Sequence, residues 1–564
     1  MIQQALRRLL ADAAAEAAPE IGLDAGSLPE PELTRPRQKE HGDWTTNLAM
    51  VLAAKAGGQQ PRLIAGAIVS HLPANDLVDG AEVAGPGFIN IRLKHTWLYD
   101  LLGEILERGP DFGTRPPRDE RVQVEFVSAN PTGPLHVGHA RNTVLGDAIA
   151  SVLAADGARV EREYYWNDTG TQMDLLGASV EARYLTRLGR PTDVPDGGYQ
   201  GEYVDDVAGA IAEEVGNLWL DADATERRGW FVQESRRRMI DWIRATLERF
   251  GVGFDTWFSE ATLQRTGGID QAIALLRKDG YAFDEDGAVW FRATAFGDDK
   301  DRVLIRSSGE PTYFGKDVAY LRDKFSRGFG RLVYVWGADH HGDVARMRGV
   351  AEALGYDPAS IEFVLYQFVS LFRGGQPVKM SKRAGDLITL DELLDEVGPD
   401  AARYTLLARS PDSPIDFDIE AVTRQSMDNP VYYVQYAHAR IASLVRVAQE
   451  RGVTLPPWGE VRFEELVQEA EYDLLRKLAE LPEVVEFAAR ALAPHRIARY
   501  AEEVAADFHR FYTECRVVTD DAGLTHARLA LSAAAKQVLG TSLRLLGVSA
   551  PESMERLNDD EPEA

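Results

Sequence analysis

"VEFVSANPTGPLHVGHARNTVLGDAIA", residues 124–150, runs from a β-branched, apolar stretch into a helix across two prolines, two glycines and two histidines. An unbroken apolar strand that turns sharply into a helix is how a parallel sheet starts, because parallel neighbours need a crossover and are buried on both faces. At the carboxyl end of such a strand, the unpaired N–H groups of the next helix point into the crevice where α/β proteins bind ligands, and they favour anions. Pro131 and Pro134 fix the turn, and Gly133 and Gly138 let backbone approach a ligand. His136 and His139, three apart at the helix start, share one face and can donate to phosphate oxygens. The stretch predicts a nucleotide-phosphate site without a P-loop, holding His136, Gly138 and His139. A metal pair and a capped structural turn compete with it, although no third ligand lies nearby to complete a metal set.

Outward from there, residues 122 to 410 alternate short apolar runs with amphipathic helical ones. "VQVEFV", "VEREYYW", "RLVYVWG" and "IEFVLYQFVSL" are predicted strands, and "HARNTVLGDAIASVLAADG" a helix closed by Gly157. Residues 173–256 are predicted as a mostly helical insertion carrying the basic cluster 236–238. The Pro- and Gly-rich "GPDFGTRPPRDERV" reads as a linker. The expected fold class is multidomain α/β. An α+β N-terminal domain spans 1–108, a parallel-sheet core 109–410 and an all-α bundle 411–564, where Ile497, Tyr500, Val504, Phe508 and Phe511 recur at helical spacing.

Composition sets further bounds. The 564 residues are 45% hydrophobic and 27% charged, and no apolar run approaches the roughly 20 residues of a spanning helix. "MIQQALRRLLADAAAEAAPE" reads as an amphipathic helix rather than a signal peptide, so a cytoplasmic protein with no membrane partner is expected. Cys515 is the single cysteine, which excludes an internal disulfide or a cysteine-rich zinc site. A net charge of −27 argues against whole-surface nucleic-acid binding and leaves a local basic groove open. Lysine is scarce beside arginine, yet Lys379 and Lys382 sit together in "GGQPVKMSKRAGDLITL", residues 374–390. Bracketed by Gly374, Gly375 and Gly385, they predict a basic loop able to close over a polyphosphate; a solvated surface loop is the plainer alternative. "GEPTYFGKD" is not a P-loop, because five residues separate Gly309 from Gly315 and Asp317 stands where a magnesium-holding hydroxyl is needed.

Taken as a pair, "HVGH" at 136–139 and "KMSKR" at 379–383 resemble the HIGH and KMSKS signatures of class I aminoacyl-tRNA synthetases. The longer strings "EFVSANPTGPLHVGHARN", "NDTGTQM", "PTYFGKDVAY" and "NPVYYVQYAHARI" resemble arginyl-tRNA synthetases, and the likeness runs the length of the chain. It implies a Rossmann-like catalytic domain that activates arginine with ATP and transfers it to tRNA, with Mg2+ accompanying ATP and no structural metal. It implies His136, His139, Lys379 and Lys382 as the catalytic set, and His136, Gly138, His139, Met380 and Lys382 at ATP. Glu125, Asn130, Tyr313 and Asp317 match the family's arginine-binding positions, with one of Asp339, His340 and His341 as a further candidate. Tyr432, Tyr436 and Arg440, at i, i+4 and i+8, are the expected tRNA contacts of an anticodon-binding bundle, with a packed core face an equal alternative for Tyr432. The N-terminal domain would touch the tRNA D-loop, and the 236–238 cluster the acceptor end. Nothing in the sequence points to an oligomer, so a monomer is expected. The family often lacks the second lysine of KMSKS, whereas this chain keeps Lys382 and ends the motif with Arg383 instead of serine. Rival readings are a synthetase for another amino acid, a non-catalytic tRNA-binding relative and a metabolite nucleotidylyltransferase.

Overall fold

The computed structural model describes residues 2–36, 38–55, 57–168, 170–378 and 388–554. It comprises two compact units. The first holds Met1–Glu107, Leu455–Ala479 and Glu514–Leu531. Its α1 (Ile2–Ala17) buries Leu6, Leu10, Ala13 and Ala17, the single stripe its helical periodicity dictates. Then come β1 (Trp44–Thr46), α2 (Leu48–Lys55), α3 (Pro61–Ser70), β2 (Val78–Ala84), β3 (Phe88–Leu93) and α4 (Thr96–Arg108). The strands form an antiparallel sheet in the order β1-β3-β2.

The second unit is built on β4 (Arg121–Glu125), followed by α5 (Val137–Ala155) and β5 (Arg159–Trp166). Next are three consecutive helices, α6 (Thr171–Arg187), α7 (Glu202–Val215) and α8 (Ala224–Arg249). They pack around a core of their own that includes Met173, Val180, Tyr184, Phe231 and Met239. The chain returns through β6 (Thr256–Ser259), α9 (Ala261–Arg265) and α10 (Gly268–Lys278) to a small antiparallel sheet of β7 (Ala282–Glu285), β8 (Ala288–Phe291) and β9 (Arg302–Ile305). After it come α11 (Tyr313–Ser326), β10 (Arg331–Gly337), α12 (His341–Ala353) and β11 (Ile361–Tyr366).

The main sheet is parallel in the order β11-β10-β4-β5-β6. From β4 the chain winds one way to β5 and β6, then crosses back to β10 on the other side of β4. The strand order therefore reverses between β4 and β10, the place where an open α/β sheet leaves a crevice at its carboxyl ends. Val122, Val124, Leu332, Val333 and Val335 are buried, as parallel strands covered on both faces require. Helix α5 is buried nearly all round and lies directly on the β4 segment: a Cβ added at Gly146 would come within 2.1 Å of the Phe126 ring.

"IEFVLYQFVSL" divides into β11 and β12 (Val369–Arg373), and β12 pairs with β13 (Gln376–Pro377). After α13 (Leu390–Val397) and α14 (Pro399–Leu407), β14 (Ile415–Asp418) pairs in parallel with β12. The expected boundary at 410/411 thus falls ahead of a strand that still belongs with β12. The short α15 (Ile419–Thr423) and the long α16 (Pro430–Glu450) follow, with α17 (Glu469–Leu478), α18 (Leu481–Ala491), α19 (His495–Glu514) and α20 (Ala522–Leu545) completing the helices. No helix among the described residues is long and apolar enough to cross a membrane.

The β7–β8 hairpin was not predicted. Its strands are four residues long, and its signal is the dipeptide Asp286-Gly287, whose φ angles of 50° and 75° are those of a two-residue hairpin turn.

Candidate active site

The crevice beside β4 begins with a strained turn. Val127 and Ser128, immediately after the strand, have φ of 64° and 44°. Left-handed backbone at two non-glycine residues, one β-branched, costs on the order of 1–3 kcal/mol each and persists only where surroundings hold it. The Val127 N–H donates to Asn142 Oδ1 at 2.6 Å, and the Ser128 hydroxyl donates to Glu125 Oε1 at 3.0 Å. Ser128 Oγ in turn accepts the Tyr165 N–H at 3.2 Å.

Eight residues after Ser128, the histidines begin to cap α5. His136 Nδ1 accepts the Gly138 N–H at 3.1 Å, and His139 Nδ1 accepts the His136 N–H at 3.2 Å. Their rings lie 4.0 Å apart, centroid to centroid. Because both Nδ1 atoms accept from backbone, the hydrogen of each neutral ring resides on Nε2. Each ring is thereby fixed in the tautomer that donates, which suits phosphate oxygens and removes one lone pair from any metal. A Cβ at Gly138 would sit 2.7 Å from His136 Cε1, so the glycine makes room for the His136 ring.

Lys379, Met380 and Lys382 lie outside the described residues. Their flanks do not: Val378 N–H donates to Leu371 O at 2.9 Å on one side, and on the other Thr389 bridges His136, with Leu390 N–H donating to Leu135 O at 2.7 Å. Thr389 and Leu390 thus lie against the "HVGH" turn.

The opposite wall is acidic. Thr312 caps α11 by accepting the Gly315 N–H at 3.0 Å, and Gly315 lets the helix press on β9, where a Cβ would meet Leu304 O at 2.4 Å. That packing explains the glycine of "YFGKD" without any P-loop. One turn apart on this helix, Tyr313 is 62% exposed and Asp317 also reaches solvent. The Asp317 carboxyl is pushed up to about 7, first by the protein crowded around it and then by the charges of Glu125, Asp343 and Glu260, with Lys324 opposing them. Glu260, which sequence reading missed, is buried and accepts the Tyr165 hydroxyl at 2.8 Å and Lys316 Nζ at 2.5 Å. Its signal was available: like Glu125 it stands at the carboxyl end of a parallel strand, but the four-residue β6 passed as the end of the insertion.

Glu125 is not open to a ligand. Lys324, fully buried, holds its Oε2 at 2.5 Å and rests its ammonium 3.8 Å from the Tyr334 ring centroid, while Ser128 holds Oε1. Asn130 donates to Gln172 Oε1 at 2.8 Å. At the end of β10, Asp339, His340 and His341 are exposed, and His340 Nδ1 lies 3.3 Å from Asp343 Oδ2.

Two expected tRNA contacts are turned inward. Tyr432 and Tyr436 are 5% and 7% exposed and stacked at 5.8 Å, because they are the core stripe of α16. Arg440 is half-buried and lies 4.5 Å above the Tyr512 ring. The 236–238 cluster is neutralised: Arg237 pairs with Glu234 and Asp241, Arg238 with Glu234 and Glu214, and Arg236 Nη1 approaches Asp168 at 3.7 Å.

Residues 2–93 match the family described as arginyl tRNA synthetase N terminal domain, 102–441 the class I (R) tRNA synthetase catalytic domain, and 434–554 the DALR anticodon binding domain. The arginine–tRNA ligase of Moorella thermoacetica is 49% identical over 98% of this chain and 100% of its own. That of Desulforudis audaxviator is 48% identical over 98% and 99%. Among solved structures, the Thermus thermophilus arginyl-tRNA synthetase superposes with a TM-score of 0.75 at 25% identity, covering 97% of this chain and all of its own.

Proposed function

We propose how the crevice works from the premise that the chain belongs to the arginyl-tRNA synthetase family. It is an aminoacyl-tRNA synthetase: it activates arginine with ATP and joins it to tRNA. What we infer is the division of labour among its residues.

The arginine carboxylate attacks the α-phosphate of ATP, a C–O–P linkage forms and pyrophosphate leaves with the displaced electron pair. No protein nucleophile is needed, so the site aligns the reactants and meets charge growing on the phosphates. His136 and His139 present Nε2–H to the phosphates at the start of α5, where the helix dipole adds its own attraction. Lys379 and Lys382 meet the departing pyrophosphate, and Met380 lies beside the nucleotide. Mg2+ comes with ATP, held by phosphate oxygens and water; the two histidines, with Nδ1 committed to backbone, suit phosphate oxygens better than an ion.

Asp317 takes the guanidinium, with Tyr313 one turn away and Glu260 behind it. A planar fork of N–H donors matches a carboxylate in a way a lysine ammonium does not. Glu125 acts at one remove, through Lys324 and the turn at Ser128. The observation that carries this assignment is the place of Asp317 on α11 within the field of Glu125, Asp343 and Glu260, its carboxyl raised first by the protein packed around it and then by those charges; a guanidinium arriving there favours its ionised form. Residues 434–554 read the tRNA anticodon with the exposed face of their helices rather than with Tyr432 and Tyr436, and the N-terminal unit meets the D-loop. The protein works as a cytoplasmic monomer.

The purified chain, given arginine, ATP, Mg2+ and arginine tRNA, is expected to form arginyl-tRNA; another amino acid charged in preference would overturn the arginine assignment. A sedimentation mass of twice the chain would overturn the monomer.

A further inference from the structure

Tyr313, Asp317, Tyr320 and Lys324 recur on α11 at intervals of four, three and four residues, so they share one face of the helix. The stripe runs from solvent into the protein: Tyr313 is 62% exposed, Tyr320 4% and Lys324 0%. An ammonium taken fully out of water needs an anion beside it. Lys324 Nζ donates to Glu125 Oε2 at 2.5 Å and lies 4.3 Å and 3.8 Å from the ring centroids of Tyr320 and Tyr334, whose faces attract a cation. Burial pulls this ammonium below its usual range, and Glu125 and Glu163 oppose the shift.

Glu163 stands beside Glu125 on the neighbouring strand and is held by the Tyr320 hydroxyl and by Arg327 Nη2, the latter at 2.8 Å. Helix and sheet are therefore keyed by charge along this stripe. A buried ion pair admits one register, because a slip leaves an unpaired charge out of water. From Glu125 the contacts lead back to the helix. Glu125 Oε1 accepts the Ser128 hydroxyl, Ser128 Oγ accepts the Tyr165 N–H, and the Tyr165 hydroxyl donates to Glu260 Oε2. The other oxygen of Glu260 accepts from Lys316, the residue just before Asp317. A closed ring thus grips α11 on both sides of Asp317, at Lys316 and at Lys324, and its frame is the carboxyl ends of β4, β5 and β6.

We propose that Lys324 is a positioning residue for arginine recognition, holding α11 in the register that sets Asp317 against the turn at the end of β4. This rests on the assignment of Asp317 to the guanidinium. A carboxylate meets a planar fork with paired hydrogen bonds only at a set distance and angle, and a misplacement of about 1 Å costs on the order of 100-fold. His136 and His139 stand on a different helix and are fixed by their own backbone, so the ATP end of the crevice keeps its geometry when Lys324 is lost.

The test is a double-mutant cycle of Lys324→Met with Asp317→Asn, read by aminoacylation kinetics and thermal melting. The charge-balanced pair Glu125→Gln/Lys324→Met is measured beside it, so that an orphaned Glu125 does not decide the result. In the folded variant the arginine KM is expected to rise about 10- to 100-fold, with the ATP KM within about twofold of the parent. In the Asp317→Asn background the same change is expected to add less than about twofold, because residues that act as a unit are not additive. An unchanged arginine KM in a folded variant overturns the proposal. So do arginine and ATP KM values that rise together, or full additivity with Asp317→Asn, either of which marks general damage. Failure of both variants to fold also overturns it, since Lys324 would then serve the fold alone. Asp317→Asn by itself separates the two levels. If it leaves the arginine KM unchanged, the guanidinium assignment falls and the proposal with it; if it raises that KM while Lys324→Met does not, only the role of Lys324 falls.

Discussion

On one wall of the crevice His136 and His139 are held as neutral donors by backbone groups no more than three residues away. On the other, Asp317 shares its space with Glu125, Glu260 and Asp343, which arrive from three other parts of the fold, and its carboxyl is pushed up to about 7. The first wall is prepared by satisfying its hydrogen bonds, so it can meet phosphate with little rearrangement. The second sets Asp317 among carboxylates already partnered, Glu125 by Lys324, Glu260 by Lys316 and Asp343 by Arg346, with its own carboxyl raised until a cation enters. One site is ready by completion and the other by frustration, and the two should answer differently to mutation and to pH.

The largest effect is expected from His136→Asn. Asparagine is as good a helix cap as any residue, so the melting temperature should hold, while the lost Nε2–H donor lowers aminoacylation kcat by about 100- to 1000-fold. A parallel loss of stability would mean the histidine serves the cap and not the phosphates. Next comes Asp317→Asn, for which the arginine KM should rise about 10- to 100-fold, the worth of charge-assisted hydrogen bonds, with the ATP KM nearly unchanged. Equal rises in both would erase the distinction between the walls.

Titration sharpens the contrast. Arginine needs the Asp317 carboxylate, which below about 7 is largely protonated in the empty crevice. Binding there must expel a proton, so the arginine KM should fall as pH rises, by about tenfold between roughly pH 6 and pH 8, and level off above. In Asp317→Asn the slope should vanish. Stability runs the other way: the folded chain holds a proton here that an unfolded aspartate has lost, so this group's contribution declines as pH climbs through about 7. The smallest effect is expected at Arg237→Ala, where the charge is already spent on Glu234 and Asp241. The tRNA KM should stay within about twofold, and stability within about 0.5 kcal/mol; a tenfold rise in that KM would restore the cluster as a tRNA contact.

The same contrast explains what could be read from sequence. The histidine wall was legible because its chemistry is local: strand, turn, cap and helix lie within one stretch of 27 residues. The acidic wall was half legible. Tyr313 and Asp317 share a helix face by spacing alone, but Glu260 becomes a neighbour of Asp317 only once β6 has found β5. Lys324 could not be foreseen as the partner of Glu125, since a lysine at the buried end of a helix reads like any other until the sheet beneath it is known. Tyr432 and Tyr436 failed for a related reason: aromatic residues at i and i+4 mark a stripe, and the stripe is equally that of a core or of a base-stacking face.

Gly146 bears on motion as well as packing. With no side chain on Gly146, the Phe126 ring packs directly on the backbone of α5, so the segment from Phe126 to Gly146 is a closed stitch held at both ends. Hydrogen exchange should therefore find the amides of 140–150 among the slowest in the chain, released only by unfolding of the whole unit. The groups that meet the nucleotide would then sit on the part of the molecule that breathes least.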